Sequence, residues 1–375
     1  MFAADHCSVQ IVWRHLAPGE LNLATSSGPP LSLHLEEGTH SEPSAGATLI
    51  DGLPPGSPIE IRVEGSALGG ERRLTTATLP QPPGEILTRV ATISDLHLGA
   101  RAFGRRKTII EDPEPDVAHP IRCSTAAIRA AATWGASEIV AKGDLTNNGH
   151  LDQWRSYAEL VEASPVPVMS LPGNHDRTWK RGSAGLSPED AAQLFGLQIA
   201  SPLLVLDRPG VRLVLVDSTS GPHNRGSLVA SEDDVVQAVA ETEAGSVALV
   251  LMHHQLHQHP VHEGWPVGVH RGPTVAHLDR LASTGTPTLV SGGHTHRHRR
   301  WTHRGVVVTQ VGSTKDYPGV WAGYTVSEGG ISQVVRRVAE PDCIRWTDHT
   351  RRAVWGAWRW ISPGTVRTRC FLHTW

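Results

Sequence analysis

The chain has 375 residues, of which 39% are hydrophobic and 19% are charged, so it has enough apolar material for one or two ordinary globular cores. Its formal net charge of −3 creates no field that would attract nucleic acid or an anionic membrane, which argues against binding to either through overall charge. The four cysteines are widely spaced, which argues against a disulfide framework and a thiolate zinc site.

The first residues, "MFAADHCSVQIVW", lack the basic start and the apolar block of a signal peptide. No apolar run in the sequence reaches the length of a membrane span. Sparse cysteines suit a reducing compartment. From these features we expect a cytoplasmic protein.

Residues 1–82 alternate short β-type runs with turns, which is typical of a small β-sandwich. The stretch "LPPGSPIEIRV" (53–63), followed by "RLTTATLPQPPG" (73–84), resembles a fibronectin type III domain. A simple β-layer packed against the next domain is the alternative interpretation. The stiff segment "PQPPG" (80–84) predicts a domain boundary.

From residue 86 to about 340, β-branched or apolar runs alternate with helical stretches, which predicts an α/β domain with buried sheet. The predicted strands are "LTRVATIS" (87–94), "EIVAKG" (138–143), "VPVMSLPG" (166–173), "VRLVLVDS" (211–218), "VALVLMHH" (247–254), "TPTLVSGG" (286–293) and "GVVVTQVG" (305–312). The predicted helices include "STAAIRAAATWG" (124–135), "HLDQWRSYAELVEA" (150–163) and "SPEDAAQLFG" (187–196).

Polar side chains follow five of these strands, at the point where each strand ends. They are Asp95 and His97, Asp144, Asn174 and His175, His253 and His254, and His294 and His296. Because ligands of α/β sheets bind beyond the carboxyl ends of the strands, we expect these side chains to share one rim.

Histidine is the outlier of the composition, with 22 residues, and the rim offers two groups of transition-metal ligands. The first group is Asp95, His97, Asp144 and His296, and the second is Asp144, Asn174, His253 and His294. A carboxylate such as Asp144 has two oxygens, so it can bridge two cations. Two metals about 3.5–4 Å apart form a clamp for in-line displacement at phosphorus. The lack of sulfur ligands favours iron, manganese, zinc or cobalt.

Five motifs, in this order, resemble those of the calcineurin-like metallophosphoesterases: "DLHLG" (95–99), "GDLTNNG" (143–149), "GNHD" (173–176), "MHH" (252–254) and "GGHTH" (292–296). The resemblance covers about residues 90–315 and implies a four-layer αββα sandwich within residues 86–340. It implies two ions of iron, manganese or zinc, with metal one held by the first group and metal two by the second. A hydroxide between the metals would then attack phosphorus.

The resemblance also implies that His175, the histidine of "GNHD", faces the substrate and acts as a catalytic residue. It would protonate the leaving oxygen or stabilise charge on the phosphoryl group. Asp176 either orients this imidazole or serves as a turn residue. His254 is an alternative to His253 as a ligand, since a small shift of the strand end would exchange them, and the position in the family motif favours His253.

The forms "GDLTNNG" and "GNHD" are similar to those of the small-phosphodiester branch rather than to "GDYVDRG" and "GNHE" of the protein-phosphatase branch. We therefore expect a phosphodiesterase acting on a cyclic nucleotide, a nucleotide or a glycerophosphodiester. The alternatives are a phosphomonoesterase or nuclease of the same family and, outside this class, an inactive binding scaffold. The expected partner is the small phosphoester substrate, without membrane or nucleic acid, and the oligomeric state stays open.

Two segments outside the motifs are candidates for roles around the site. Residues 100–120 form a predicted long loop, with Arg101, Phe103, Arg105 and His119 as candidate phosphate or base contacts. Residues 341–375 form a Trp-rich C-terminal extension, which we expect to pack on the core, its tryptophans covering an edge of the sandwich. A stacking surface for a base is the alternative for this extension.

Overall fold

In the computed structural model, the described residues are 1–36, 44–104, 107–111, 114–177, 185–220, 223–259 and 267–375. The N-terminal region consists of two antiparallel sheets. Its strands are β1 (Ala3–Ala4), β2 (Ser8–Leu16), β3 (Gly19–Thr25), β4 (Leu31–Leu35), β5 (Ser44–Asp51), β6 (Pro58–Glu64) and β7 (Arg72–Ala77). The sheets have the strand orders β1-β2-β5 and β4-β3-β6-β7.

Alternation of apolar and polar residues explains how these two sheets pack. In β6 the side chains of Ile59, Ile61 and Val63 are buried, and the polar residues between them are exposed. The buried side chains form one core between the sheets. The observed strands fit a small β-sandwich, while the likeness to fibronectin type III and the domain boundaries stay predictions.

The remaining strands build two six-stranded sheets and two short hairpins. They are β8 (Ile86–Ile93), β9 (Ala102–Phe103), β10 (Ile109–Ile110), β11 (Glu138–Lys142), β12 (Val168–Leu171), β13 (Leu203–Arg208), β14 (Val211–Val216), β15 (Thr219–Ser220), β16 (His223–Gly226), β17 (Val247–Met252), β18 (Thr288–Gly292), β19 (Arg299–His303), β20 (Val306–Gln310), β21 (Val320–Ser327), β22 (Gly330–Arg337) and β23 (Cys370–Thr374). The large sheets have the orders β12-β11-β8-β21-β22-β23 and β13-β14-β17-β18-β20-β19.

Helices accompany these two sheets, and most of them pack on the outer faces. They are α1 (His119–Trp134), α2 (Leu151–Glu162), α3 (Pro188–Phe195), α4 (Glu232–Ala240), α5 (Arg271–Ser283), α6 (Pro341–Thr350), α7 (Trp358–Ile361) and α8 (Val366–Arg369). Short 3-10 turns span Asn174–Asp176 and Val354–Gly356. The three predicted helices correspond to α1, α2 and α3, and Ser187 caps α3 by accepting a hydrogen bond from the backbone of Asp190.

Three buried clusters define four layers in the α/β part. One cluster joins the inner faces of the two sheets and includes Val140 and Leu249. A second packs α1, α2 and α6 on the first sheet, and a third packs α4 and α5 on the second sheet. This arrangement confirms the predicted αββα sandwich preceded by a β region.

The strand directions bring the predicted polar ends together. β8, β11 and β12 are parallel neighbours, and so are β14, β17, β18 and β20. Parallel neighbours place their carboxyl ends at the same edge of a sheet. Within the described ranges, no helix is long and apolar enough to cross a membrane.

Candidate metal centre

The chain leaves β8, β11 and β18 through tight turns in which the predicted metal ligands themselves adopt left-handed backbone conformations. The φ angles are 55° at Asp95, 48° at His97, 47° at Asp144, 63° at His294 and 53° at His296. Non-glycine residues rarely adopt positive φ, and such strained residues cluster at functional sites. The turns direct these five side chains to one place.

The first predicted ligand group meets around two buried carboxylates. Nε2 of His296 lies 3.4 Å from Oδ1 of Asp95, and Nε2 of His97 lies 3.4 Å from Oδ2 of Asp144. Ligand atoms of Asp95, His97 and His296 all lie within 4.8 Å of one another. These distances leave the four side chains facing one small volume.

The second predicted group meets at the other oxygen of Asp144. Nε2 of His253 lies 3.3 Å from Asp144 Oδ1 and 3.3 Å from Asn174 Oδ1. Nδ1 of His294 lies 3.2 Å from the same His253 nitrogen. Asp144 therefore presents Oδ2 to one group and Oδ1 to the other, which is the arrangement that a bridging carboxylate requires.

Hydrogen bonds outside the two groups fix which histidine nitrogens face inward. Nδ1 of His253 donates to the carbonyl of Lys142 at 3.0 Å, and Nδ1 of His296 donates to Asp316 Oδ2 at 2.6 Å. Because each Nδ1 carries the proton, each Nε2 presents a lone pair to a carboxylate. The buried Nε2 of His97 makes no hydrogen bond to any described residue. Lone pairs and carboxylate oxygens that face each other fit a bound cation.

The electrostatics of the site favour positive charge at His253 and His296, whereas burial lowers the pKa of His97 and lowers that of His294 to about 3. Burial lowers the pKa of His253, but the nearby carboxylate of Asp144 outweighs burial and raises it to about 9. Burial likewise lowers the pKa of His296, and Asp316 and Asp95 raise it to about 10. A positive charge between the imidazoles and the carboxylates is thus stabilised, whether a proton or a metal cation carries it.

The sequence profile of the calcineurin-like phosphoesterases matches residues 88–298. The chain belongs to the calcineurin-like phosphoesterase family. Its members are metal-dependent phosphoric ester hydrolases with dinuclear metal centres, so this chain is a phosphoesterase with candidate ligands for such a centre.

Several solved structures are similar to this phosphoesterase at low identity. The purple acid phosphatase PPD1 from yellow lupin (Lupinus luteus) seeds is 15% identical, with 90% of this chain and 72% of that chain covered and a TM-score of 0.47. PhoD is 10% identical, with 88% and 84% covered and a TM-score of 0.45. A putative 5'-nucleotidase from Staphylococcus aureus is 12% identical, with 68% and 54% covered and a TM-score of 0.44. None of the curated proteins matches the phosphoesterase.

His253 and His254 differ in what their imidazoles face. His253 points at Asp144 and Asn174, as described above. His254 is held by Ser218, whose Oγ lies 3.0 Å from its Nδ1, and its ring centroid lies 4.8 Å from that of His294. We keep His253 as the proposed ligand because it contacts the shared carboxylate.

His175 lies beside the first group and is held from both ends. Its backbone N–H donates to Asp144 Oδ1 at 2.8 Å, and its Nδ1 lies 2.9 Å from the carbonyl oxygen of Asn147, to which it donates. Its ring centroid is 4.5 Å from that of His97. The phosphoesterase thus orients this imidazole through Asn147, a residue of the "GDLTNNG" motif, and leaves Nε2 free of that contact.

Asp176 ties two of the ligand-bearing loops together. Its buried carboxylate accepts hydrogen bonds from the backbone of Leu145 (3.1 Å), Thr146 (2.7 Å) and Gly173 (2.8 Å). A Cβ at position 173 would lie 2.2 Å from the backbone N of Asp144, so glycine is required for this close approach. These contacts are those of a turn residue, which is one of the two roles considered for Asp176. The imidazole of His175 is oriented by Asn147 instead.

Among the residues that contact the site and were not predicted from the sequence are Asp316 and Ser94. Asp316 holds His296, and Ser94 donates to Asp95 Oδ2 at 2.6 Å. Asp316 follows β20, whose end is a sixth strand end with polar residues, "STKD" (313–316). The rule that identified the other five strand ends therefore also points to Asp316.

Of the candidate contacts in the loop 100–120, Phe103 contacts a proposed ligand. Its ring centroid is 6.1 Å from that of His296. His119 stacks on Trp346 with centroids 3.9 Å apart, and Arg101 pairs with Glu114 at 3.0 Å. Arg105 lies outside the described residues.

Proposed function

We propose that this phosphoesterase hydrolyses small phosphodiesters, such as cyclic nucleotides, nucleotides or glycerophosphodiesters, at a dinuclear centre of iron, manganese or zinc. Metal one would be held by Asp95, His97, Asp144 and His296, and metal two by Asp144, Asn174, His253 and His294. The observation that supports the proposal most is the geometry of Asp144, whose two oxygens lie 3.4 Å and 3.3 Å from nitrogens of different groups.

A pair of cations in this position supplies Lewis-acid polarisation of the phosphoryl oxygens and a nucleophile at neutral pH. The protein supplies positioning. Asp316 and Lys142 hold the imidazoles of His296 and His253 so that Nε2 faces inward, which fixes the ligand geometry before substrate binds. Because each of these imidazoles is held from outside the centre, little side-chain ordering is required when substrate arrives.

His175 is the proposed general acid. Nδ1 donates to the carbonyl of Asn147, so the proton that reaches the substrate must leave from Nε2. Protonated at Nε2, the imidazole donates to the leaving-group oxygen and prevents an alkoxide from leaving unprotonated. The half-buried position beside His97 supports this role, since the ring lies next to the first ligand group.

The motifs "GDLTNNG" and "GNHD" support diesters over monoesters as substrates. The test is a panel of cyclic nucleotides, dinucleotides, glycerophosphodiesters and monoesters, each assayed with manganese, zinc and iron. We expect faster turnover of diesters, about two metals per chain by elemental analysis, and loss of both turnover and metal in Asp144→Ala.

The panel also separates the alternatives. Faster turnover of monoesters would replace the diesterase by a phosphomonoesterase, and cleavage of polynucleotides would indicate a nuclease. A purified chain that binds no metal under any loading condition would leave an inactive scaffold. Diester hydrolysis that persists after treatment with a chelator would contradict the metal-dependent mechanism.

A further inference from the structure

Two tryptophans of the C-terminal extension are exposed over most of their surface. Trp355 is 89% exposed and Trp360 is 75% exposed, and the neighbouring Ile361 is 41% exposed. We call these three side chains the tryptophan surface. Large apolar side chains at such exposure lose the hydrophobic stabilisation that burial would give, so several of them close together in the chain indicate an interaction surface.

The backbone holds Trp355 outward through a strained turn. Val354, Trp355 and Gly356 have φ angles of 52°, 53° and 82°. Three consecutive left-handed residues, one of them β-branched, are unfavourable unless the surrounding structure fixes them. The fixing contacts are the buried side chains of Ala353 and Trp358 on either side and a hydrogen bond from Gly356 N to Arg352 O at 2.9 Å.

The charge around the tryptophan surface is positive although the chain as a whole is not. Residues 349–375 contain no Asp or Glu, and their five arginines are Arg351, Arg352, Arg359, Arg367 and Arg369. Three of these are exposed, at positions 352, 359 and 367. The guanidinium of Arg359 lies 5.4 Å from the ring centroid of Trp360, so cation and aromatic ring form one unit.

The short helix α7, which carries Trp360 and Ile361, begins next to the metal centre. The ring centroid of Trp358 lies 6.5 Å from that of His296 and 5.8 Å from that of Phe103. Trp360 follows two residues later, so its Cα lies within about 8 Å of that of Trp358. A partner bound at this surface would therefore contact the helix that begins next to the metal centre.

We propose that the tryptophan surface, with Arg352 and Arg359, is a docking surface for an anionic lipid bilayer. Indole rings insert at the boundary between headgroups and acyl chains, and each arginine near an anionic surface strengthens binding about fivefold. A stable protein interface buries roughly 800 Å² on each partner, which two tryptophans and one isoleucine do not supply. The prediction that the chain does not bind membranes is based on the net charge of −3 of the whole chain, whereas this surface is locally positive.

Docking would bring the helix next to the metal centre to the membrane surface. If the proposed function holds, phosphoesters carried at a membrane surface become accessible substrates. The docking itself depends only on the extension and is independent of hydrolysis. A binding measurement therefore tests the inference without reference to activity.

The experiment is co-sedimentation of the full chain with vesicles of pure phosphatidylcholine and with vesicles of equimolar phosphatidylcholine and phosphatidylglycerol. We expect binding to the anionic vesicles that weakens as salt is added. Trp355→Ala combined with Trp360→Ala should weaken binding at least about tenfold. Arg352→Gln combined with Arg359→Gln should weaken binding to anionic vesicles by about 25-fold, since each arginine contributes about fivefold.

Trp375→Ala is the matched control, because Trp375 is also a partly exposed tryptophan of the extension, at 38%, but lies at its far end. This variant should bind vesicles as the parent chain does. Equal binding by the double tryptophan variant, or no binding to anionic vesicles at low salt, overturns the proposal. Self-association that the double tryptophan variant abolishes, in place of vesicle binding, would also overturn it and assign the surface to a second copy of the chain.

Discussion

The contact between Asp316 and His296 allows a quantitative prediction about metal affinity. Asp316 is fully buried, and its Oδ2 accepts the Nδ1 proton of His296 at 2.6 Å. Removing such a carboxylate from a ligating histidine costs about 10- to 100-fold in metal affinity, equivalent to about 1.4–2.7 kcal/mol. We expect Asp316→Ala to reach the upper end, because it removes both the acceptor and the charge. Asp316→Asn keeps an acceptor oxygen, so we expect a loss of about tenfold.

The assay is competition for manganese or zinc with a chromophoric chelator at fixed pH. Asp217→Asn is the matched control, because Asp217 is also a carboxylate at a strand end but pairs with Arg177 and Thr219 instead of a proposed ligand. This control should bind metal as the parent chain does. Parent-like affinity in Asp316→Ala would refute the idea that His296 is a metal ligand oriented by Asp316. A loss in the control as large as that in Asp316→Ala would show a nonspecific effect of stability.

His175→Ala should lower kcat about 100- to 10,000-fold and leave metal affinity unchanged, because the side chain is proposed to transfer a proton and not to bind metal. Asp5→Ala should lower the free energy of unfolding by about 3–5 kcal/mol in urea titrations, because it leaves the buried guanidinium of Arg336, its partner, unpaired. Burial lowers the pKa values of His119 and His277 to about 4. The folded state thus favours their neutral forms. Above pH 6.5 each histidine contributes about 3 kcal/mol to the free energy of unfolding, and this contribution is lost as the pH falls to about 4.

These three expectations have separate contradicting outcomes. A His175→Ala variant that fails to bind metal would place that residue among the ligands. Asp5→Ala with parent-like urea stability would show that the contact between the N-terminal region and β22 contributes nothing. Replacement of both His119 and His277 by Gln should flatten the loss of stability between pH 6.5 and 4, and an unchanged pH profile would contradict the assignment to burial.

The fold was predictable where strands follow a simple pattern and unpredictable where they do not. The apolar runs that lead to the metal motifs were all read as strands and are all observed. β21 and β22 were missed, although all their residues are buried. β22 contains Gln333, Arg336 and Arg337, which are buried because Tyr324, Asp5 and Asp348 supply their partners. No local pattern of hydrophobicity reveals a buried arginine whose partner lies in another part of the chain.

The same distinction holds inside the metal centre. The proposed ligands were found because each follows the end of a strand, so that position along the chain is enough to identify it. The contacts that orient them could not be predicted this way, even where the contacting residue, such as Asp316, also follows a strand. Asn147 holds His175 through its backbone carbonyl, which a residue of any type at position 147 would supply. Asp316 contacts His296 although the two residues are twenty positions apart in the sequence. Ligand identity is therefore encoded locally, whereas ligand orientation depends on contacts that exist only once both sheets have packed. It follows that a chain with all seven ligands intact can still fail to bind metal if those contacts are lost, and the Asp316 variants test this directly.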